Sequence, residues 1–204
     1  MISIINYGLG NVTAFKNIYK RLNIDCKIVS DNNDLKKASK IVLPGVGAFD
    51  WAMDKLNESG MRETLDKLVL EKEVPIIGIC VGMQMMAKSS EEGVRDGLGW
   101  IDARVKKFTI DKNIVLPHMG WNDIELANKC LLFQDLELNS RFYFLHSYYF
   151  KENNVSEVVT KTTYGSSFTS SVKKNNIYGI QFHPEKSHHW GEKLLKNFSN
   201  IEHA

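Results

Sequence analysis

Residues 74–80 read Val-Pro-Ile-Ile-Gly-Ile-Cys, a stretch without one charged or amide side chain. A strand that lacks apolar–polar alternation is buried on both faces, the condition of a central strand in a helix-covered parallel sheet. The sequence before it fits that frame. Residues 2–6, 26–29 and 41–43 are short, largely apolar runs. Between them, Phe15, Ile18, Tyr19 and Leu22 fall at helical spacing, and residues 49–57 and 61–70 keep the same period. Residues 81–87 also read as helix. The second half changes character: residues 101–108, 141–150, 156–162, 167–172 and 177–182 are strand-like, with little helix between them. Residues 189–201 form a closing helix around Trp190, Leu194, Leu195 and Phe198. The expected fold is α/β, an open, mostly parallel central sheet with flanking helices and an antiparallel extension. No repeat or linker interrupts it, so one domain is expected over residues 1–204.

Bulk properties exclude several classes. Acids and bases nearly balance at a net charge of +2, so no nucleic-acid footprint is expected. No apolar run reaches the ~18 residues of a membrane span. The start, Met1-Ile2-Ser3-Ile4-Ile5-Asn6, lacks the basic and small-residue regions of a signal peptide. The three cysteines, at 26, 80 and 130, are odd in number and show neither metal-ligand spacing nor a disulfide framework. A reducing cytoplasm is the expected setting. No metal and no cofactor is expected.

Cys80 ends the buried run, with Gly78 and Gly82 on either side and a helical stretch following at once. A tight strand-to-helix turn leaves no room for side chains beside its central residue, and it presents that residue at the carboxyl end of the sheet. A helix start favours thiolate, and the Val81 amide would face a developing oxyanion. The same residues also suit a buried cysteine that merely caps a strand. Cys26 and Cys130 lack this context and read as packing residues.

A reactive thiol needs a base. His183 follows the strand-like residues 177–182 and precedes Pro184-Glu185. Residues two apart on an extended segment face the same side, and proline keeps the residue before it extended. Glu185 is therefore expected behind the imidazole, fixing its tautomer and stabilising the imidazolium. An unperturbed thiol near ~8.5 and an imidazole near ~6.5 form thiolate and imidazolium readily when close. His188-His189 stand without further ligands at a recognisable spacing and read as exposed polar residues.

The Gly78-Ile79-Cys80-Val81-Gly82-Met83-Gln84 and Gln181-Phe182-His183-Pro184-Glu185 segments resemble the class I glutamine amidotransferases. Four further segments narrow the resemblance to the glutaminase subunits of imidazole glycerol phosphate synthase. They are Asn6-Tyr7-Gly8-Leu9-Gly10-Asn11, Leu43-Pro44-Gly45-Val46-Gly47-Ala48-Phe49, Pro117-His118-Met119-Gly120-Trp121-Asn122 and Phe144-Leu145-His146-Ser147-Tyr148-Tyr149. The resemblance runs from the first strand to the last helix.

It implies hydrolysis of glutamine to glutamate and ammonia, with Cys80, His183 and Glu185 as the catalytic set. Val46, Gly47 and Val81 would supply oxyanion donors, and Gln84, His146, Ser147 and Tyr148 would line the glutamine pocket. Asn11, Trp121 and Asn122 would face a partner, a (β/α)8-barrel cyclase subunit in a heterodimer. That subunit would use the ammonia in making imidazole glycerol phosphate and an aminoimidazole carboxamide ribotide. From the residues alone, Trp121 reads equally as a core aromatic. One departure stands out: His188-His189-Trp190-Gly191 follows Ser187, where histidine-pathway members commonly carry small or acidic residues. Bulkier residues there resemble a paralogous branch that feeds ammonia to a sugar amidotransferase of surface-polysaccharide synthesis. A non-catalytic scaffold of the synthase and a cysteine peptidase are further readings. The intact Cys80, His183 and Glu185 set argues against the scaffold, and no feature suggests a polypeptide groove.

Overall fold

The computed structural model describes residues 1–109, 114–137 and 140–202. Its first half is a parallel sheet of strands β1 (Ile2–Ile5), β2 (Cys26–Val29), β3 (Ile41–Gly45) and β4 (Ile76–Cys80). Isoleucine and valine dominate these strands, whose branched side chains pack well on a pleated buried surface. Helices α1 (Val12–Arg21), α2 (Asn32–Leu35), α3 (Phe49–Glu58) and α4 (Arg62–Asp66) connect them, and α5 (Val81–Gln84) follows β4 directly. In α1, Asn11 caps the first turn by accepting the Ala14 N–H, Lys20 and Arg21 sit at the negative end, and Phe15, Ile18 and Tyr19 are buried. The helical period of residues 61–70 is only partly regular, since α4 passes into a π turn over Lys67–Glu71.

The second half holds strands β5 (Ser89–Ser90), β6 (Ala103–Lys107), β7 (His118–Asp123), β8 (Glu125–Leu126), β9 (Arg141–His146), β10 (Tyr148–Glu152), β11 (Val158–Tyr164), β12 (Ser166–Lys174) and β13 (Ile177–Ile180), then helix α6 (His188–Asn200). The main sheet runs β2-β1-β3-β4-β13-β12-β10-β6-β5, with β11 pairing both β12 and β8. Its β1 to β4 and β13 strands are parallel, and β12, β10 and β11 add the antiparallel extension. β13 lies parallel to β4 with Ile180 opposite Ile79. The residues that follow these two strands therefore leave the sheet at the same end. Among the described residues, no helix is long and apolar enough to cross a membrane.

Three local expectations change. Residues 141–150 are two strands rather than one, parted at Ser147. β9 pairs with β7 in a separate two-stranded ribbon, whereas β10 joins the main sheet. The His146 Nδ1–H donates to the Tyr148 carbonyl at 2.8 Å, which closes the bend between them. β7 itself was not expected from Gly120, Asn122 and Asp123, which are poor strand formers; its full-length pairing with β9 overrides their propensity. The helix expected over residues 81–87 stops at Gln84: the Met86 and Ala87 N–H groups bond only three residues back, to the Met83 and Gln84 carbonyls, and the carbonyls of Met85, Met86 and Ala87 accept from the N–H groups of Leu98, Ile101 and Gly99.

Two close approaches hold the centre. A Cβ on Gly82 would run into the Leu43 carbonyl, and one on Gly45 into the Gly82 amide. Only glycine at these positions lets α5 lie against β3. Gly82→Ala is expected to destabilise the fold by about 2 kcal/mol or more through overpacking; a lower midpoint in urea unfolding checks this.

The ribbon also buries two histidines. His118 and His146 are 3% and 6% exposed, and their Nδ1 and Nε2 atoms lie 3.0 Å apart. Burial pushes the His118 pKa down to about 4. For His146, burial and the nearby histidines outweigh its bond to the Tyr148 carbonyl and push it down to about 3. Both are neutral in the fold, whereas the unfolded chain takes up protons near ~6.5. Stability is therefore complete above ~6.5 and falls with acidification, by about 1.4 kcal/mol per pH unit for each histidine. Urea unfolding between pH ~6.5 and ~4.5, above the main carboxylate range, is expected to show this slope. His118→Gln is expected to flatten it.

Candidate active site

Cys80 sits where β4 meets α5, with φ 56° and ψ −114°. This left-handed backbone is sparsely populated outside glycine and stores strain of about 1–3 kcal/mol. It is held because β4 pairs on both sides, with Gly45 of β3 opposite Cys80 and Ile180 of β13 opposite the preceding Ile79. The residue is 4% exposed. Its Sγ lies 3.9 Å from the Leu145 carbonyl and 3.7 Å from the Gln181 Nε2.

His183 stands on the neighbouring exit from the sheet. Its backbone N–H donates to the Tyr143 carbonyl at 2.8 Å, fixing it against β9. Its Nδ1 is 2.8 Å from Glu185 Oε1, and both side chains are about 5% exposed or less. The expected pairing is present, although the route differs. The backbone is extended only as far as His183 and then turns into a 3-10 helix over Pro184–Lys186, with Pro184 at its start. Glu185 reaches the imidazole from that turn. Burial alone would lower the His183 pKa, but the charge and hydrogen bonding of Cys80, then Glu185, outweigh it and push it up to about 10. The site thus favours the imidazolium form of His183.

These groups open onto one cavity of about 260 Å³. Val46, Gly47 and Val81 form part of its wall, with Gly47 at φ 87°. Gln84, His146, Ser147 and Tyr148 form another part, so all four residues expected around a small substrate come together. The bend at Ser147 turns His146 and Tyr148 inward, and α5 brings Gln84. A larger hollow, about 830 Å³, lies by Pro75 and Asn176 at the opposite end of β4, away from every expected site residue.

The three residues expected at a partner face divide. Asn11 lines the cavity mouth, where its side-chain oxygen also caps α1. Trp121 lies outside the core, half-buried on β7, stacked on His188 at 5.2 Å with 12° between the planes. The Asn122 amide is engaged within the chain: its Nδ2 bonds His118 Nε2 at 3.2 Å and the Thr163 carbonyl at 3.0 Å.

Sequence reasoning missed several residues here. Glu92 reaches the cavity from the loop after β5, and its carboxylate accepts the Phe49 N–H at 2.8 Å. Burial raises its pKa. Nothing in Glu91-Glu92-Gly93 distinguishes it from a solvated acidic loop. Lys186 also lines the cavity. The buried Tyr7 hydroxyl donates to the Pro44 carbonyl at 2.7 Å and so anchors the Val46–Gly47 segment. Among the described residues, no three His, Cys, Asp or Glu side chains converge as a metal site.

A family model described as glutamine amidotransferase class-I matches residues 3–201. The chain is 53% identical over 204 residues to the imidazole glycerol phosphate synthase subunit HisH of Bdellovibrio bacteriovorus, covering 98% of this chain and 100% of that protein. It is 49% identical to the subunit of the same name from Leptospira interrogans, with the same coverage. It is also 41% identical to imidazole glycerol phosphate synthase subunit HisH 2 of Pseudomonas aeruginosa, over 98% of this chain and 100% of that one. Among solved structures, a glutamine amidotransferase superposes with a TM-score of 0.75 at 19% identity, over 98% of this chain and 100% of the other. A glutamine amidotransferase from Thermotoga maritima gives 0.64 at 20% identity, over 97% and 81%. At such identities these structures speak to the fold alone. Full-length identity of this order, together with the family match from the first strand to the last helix, means that the chain belongs to the class I glutamine amidotransferases, and within them to the HisH subunits of imidazole glycerol phosphate synthase.

Proposed function

We propose that this chain is the glutaminase subunit of imidazole glycerol phosphate synthase, with Cys80 as nucleophile, His183 as acid and base, and Glu185 as the group that orients His183. The observation that carries this is the convergence of the three on one cavity, with His183 and Glu185 paired at 2.8 Å beside the sulfur. The Cys80 thiolate attacks the side-chain amide carbon of glutamine. Collapse of the tetrahedral intermediate breaks the C–N bond, and the His183 imidazolium gives its proton to the departing ammonia. Water, deprotonated by His183, then attacks the thioester, and glutamate leaves as the thiolate returns. Backbone amides at Val46, Gly47 and Val81 hold the oxyanion. Gln84, His146, Ser147 and Tyr148 shape the pocket, and the Glu92 carboxylate suits the substrate's α-ammonium group. The cavity, below the ~300 Å³ where drug-sized pockets begin, suits an amino acid.

The ammonia passes to a cyclase subunit with a (β/α)8 barrel, in a heterodimer that docks on the side of Asn11 and Trp121. A second reading keeps the chemistry and changes the acceptor to a sugar amidotransferase of surface-polysaccharide synthesis. His188 favours it, since the residue that departs from the family pattern covers Trp121 on that side.

In complex with the cyclase, Cys80→Ala is expected to abolish glutamine-dependent turnover while turnover with ammonium salt persists; equal glutamine-dependent rates in both proteins refute the nucleophile. If no cyclase complex forms on size-exclusion chromatography, the second reading takes its place. Glu185→Gln is expected to lower kcat by at least about tenfold. The imidazolium–thiolate pair is lost as pH rises through the His183 pKa of about 10. Removing the Glu185 charge lowers that pKa, so the alkaline limb of the kcat/KM profile is expected to move to lower pH.

A further inference from the structure

A chain of hydrogen bonds crosses the ribbon and reaches the Cys80 sulfur, and its direction is set by backbone carbonyls. The Tyr148 carbonyl can only accept. It receives His146 Nδ1 at 2.8 Å and Gln84 Nε2 at 3.1 Å. The first contact makes His146 Nδ1 the protonated nitrogen, so Nε2 of the neutral ring is an acceptor. His118 Nδ1, 3.0 Å away, must then donate, which leaves His118 Nε2 to accept from the Asn122 amide at 3.2 Å. That amide also donates to the Thr163 carbonyl, so its orientation agrees. Toward the active site the logic is the same. The Gln84 amide nitrogen faces Tyr148, so its second hydrogen meets an acceptor, Gln181 Oε1, at 2.9 Å. The remaining end of the Gln181 side chain is its NH2 group, 3.7 Å from Cys80 Sγ. No amide in this chain can flip, and neither imidazole can take a second proton, without setting two donors or two acceptors against each other. The lowered pKa values of both histidines agree with this.

The geometry points to Gln181 as a catalytic residue of the glutaminase reaction, donating a hydrogen bond to the Cys80 thiolate, its amide held in this direction by the Gln84 amide, which the Tyr148 carbonyl orients in turn. The inference rests on Cys80 being the nucleophile. Gln181 is fully buried, so no water competes for its amide. A hydrogen bond to an ionised group is about twice as strong as a neutral one. Gln181 therefore stabilises the thiolate both before attack and when it is expelled from the thioester.

The test uses the full chain with Cys26→Ser and Cys130→Ser, leaving Cys80 as the reactive thiol, and follows its alkylation by iodoacetamide from about pH 5 to about pH 10. Gln181→Met, of similar volume but without a donor, is expected to slow alkylation at neutral pH about tenfold and move the reactive limb to higher pH. In the complex, Gln181→Met is expected to lower kcat for glutamine while turnover with ammonium salt, which bypasses Cys80, persists. Urea midpoints identify a variant that fails to fold; Gln181→Leu, which also gives the sulfur no donor, then replaces Gln181→Met. A reactive parent with an unchanged Gln181 variant overturns the donor role alone. A parent thiol no more reactive than free cysteine overturns the nucleophile reading, and the donor role with it.

Discussion

Everything at the proposed active site depends on how closely α5 lies against β3. Gly82 meets the Leu43 carbonyl and Gly45 meets the Gly82 amide, with no space for a side chain at either contact. That approach leaves Cys80 in a left-handed conformation at the strand end, and the pairing of β4 on both sides keeps it there. The sheet supplies the rigidity and the turn supplies the strain. Neither would hold a sulfur in this place alone, because a strained residue persists only where its surroundings over-determine it.

The base arrives by a different physical route. β13 is parallel to β4 and in register with it, so the chain after Ile180 rises beside Cys80. The His183 N–H then bonds the Tyr143 carbonyl of β9, and the 3-10 turn at Pro184 brings Glu185 behind the ring. A single backbone junction between the main sheet and the β7–β9 ribbon thus locates the imidazole. The same ribbon carries His118, Trp121 and Asn122. The surface proposed to meet a partner and the pocket proposed to hold glutamine are consequently two faces of one small element. That shared element gives docking a short mechanical path to the sulfur.

Much of this was legible along the chain. Buried parallel strands announce themselves as unbroken apolar runs, so residues 74–80 and the strands before them were found to within a residue or two. The Cys80, His183 and Glu185 motifs were legible because tight turns and fixed spacings leave local marks. The break at Ser147 was not. Residues 141–150 keep a strand-like pattern straight through it, and only the competition of two sheets for the halves divides them. β7 was hidden for the complementary reason, since its partner β9 lies far along the sequence and compensates for weak local propensity. Glu92 was hidden because an acidic loop looks alike whether it is solvated or, as here, bound to the Phe49 N–H.

The sequence by itself therefore determined the elements whose signals are local: the parallel half of the sheet, the glycine-flanked turn at Cys80, and the His183-Pro184-Glu185 spacing. Tertiary structure alone decided which of those elements meet. The parallel register of β13 against β4 brings thiol and imidazole together, and the crossing at Ser147 turns His146 and Tyr148 toward the same cavity. The direction of the hydrogen bonds that meet at the Tyr148 carbonyl, from His146 on one side and from Gln84 on the other, belongs to the second kind. A donor or acceptor role for an amide or a neutral imidazole is not a property of the residue; it is imposed by the carbonyls that the fold places against it.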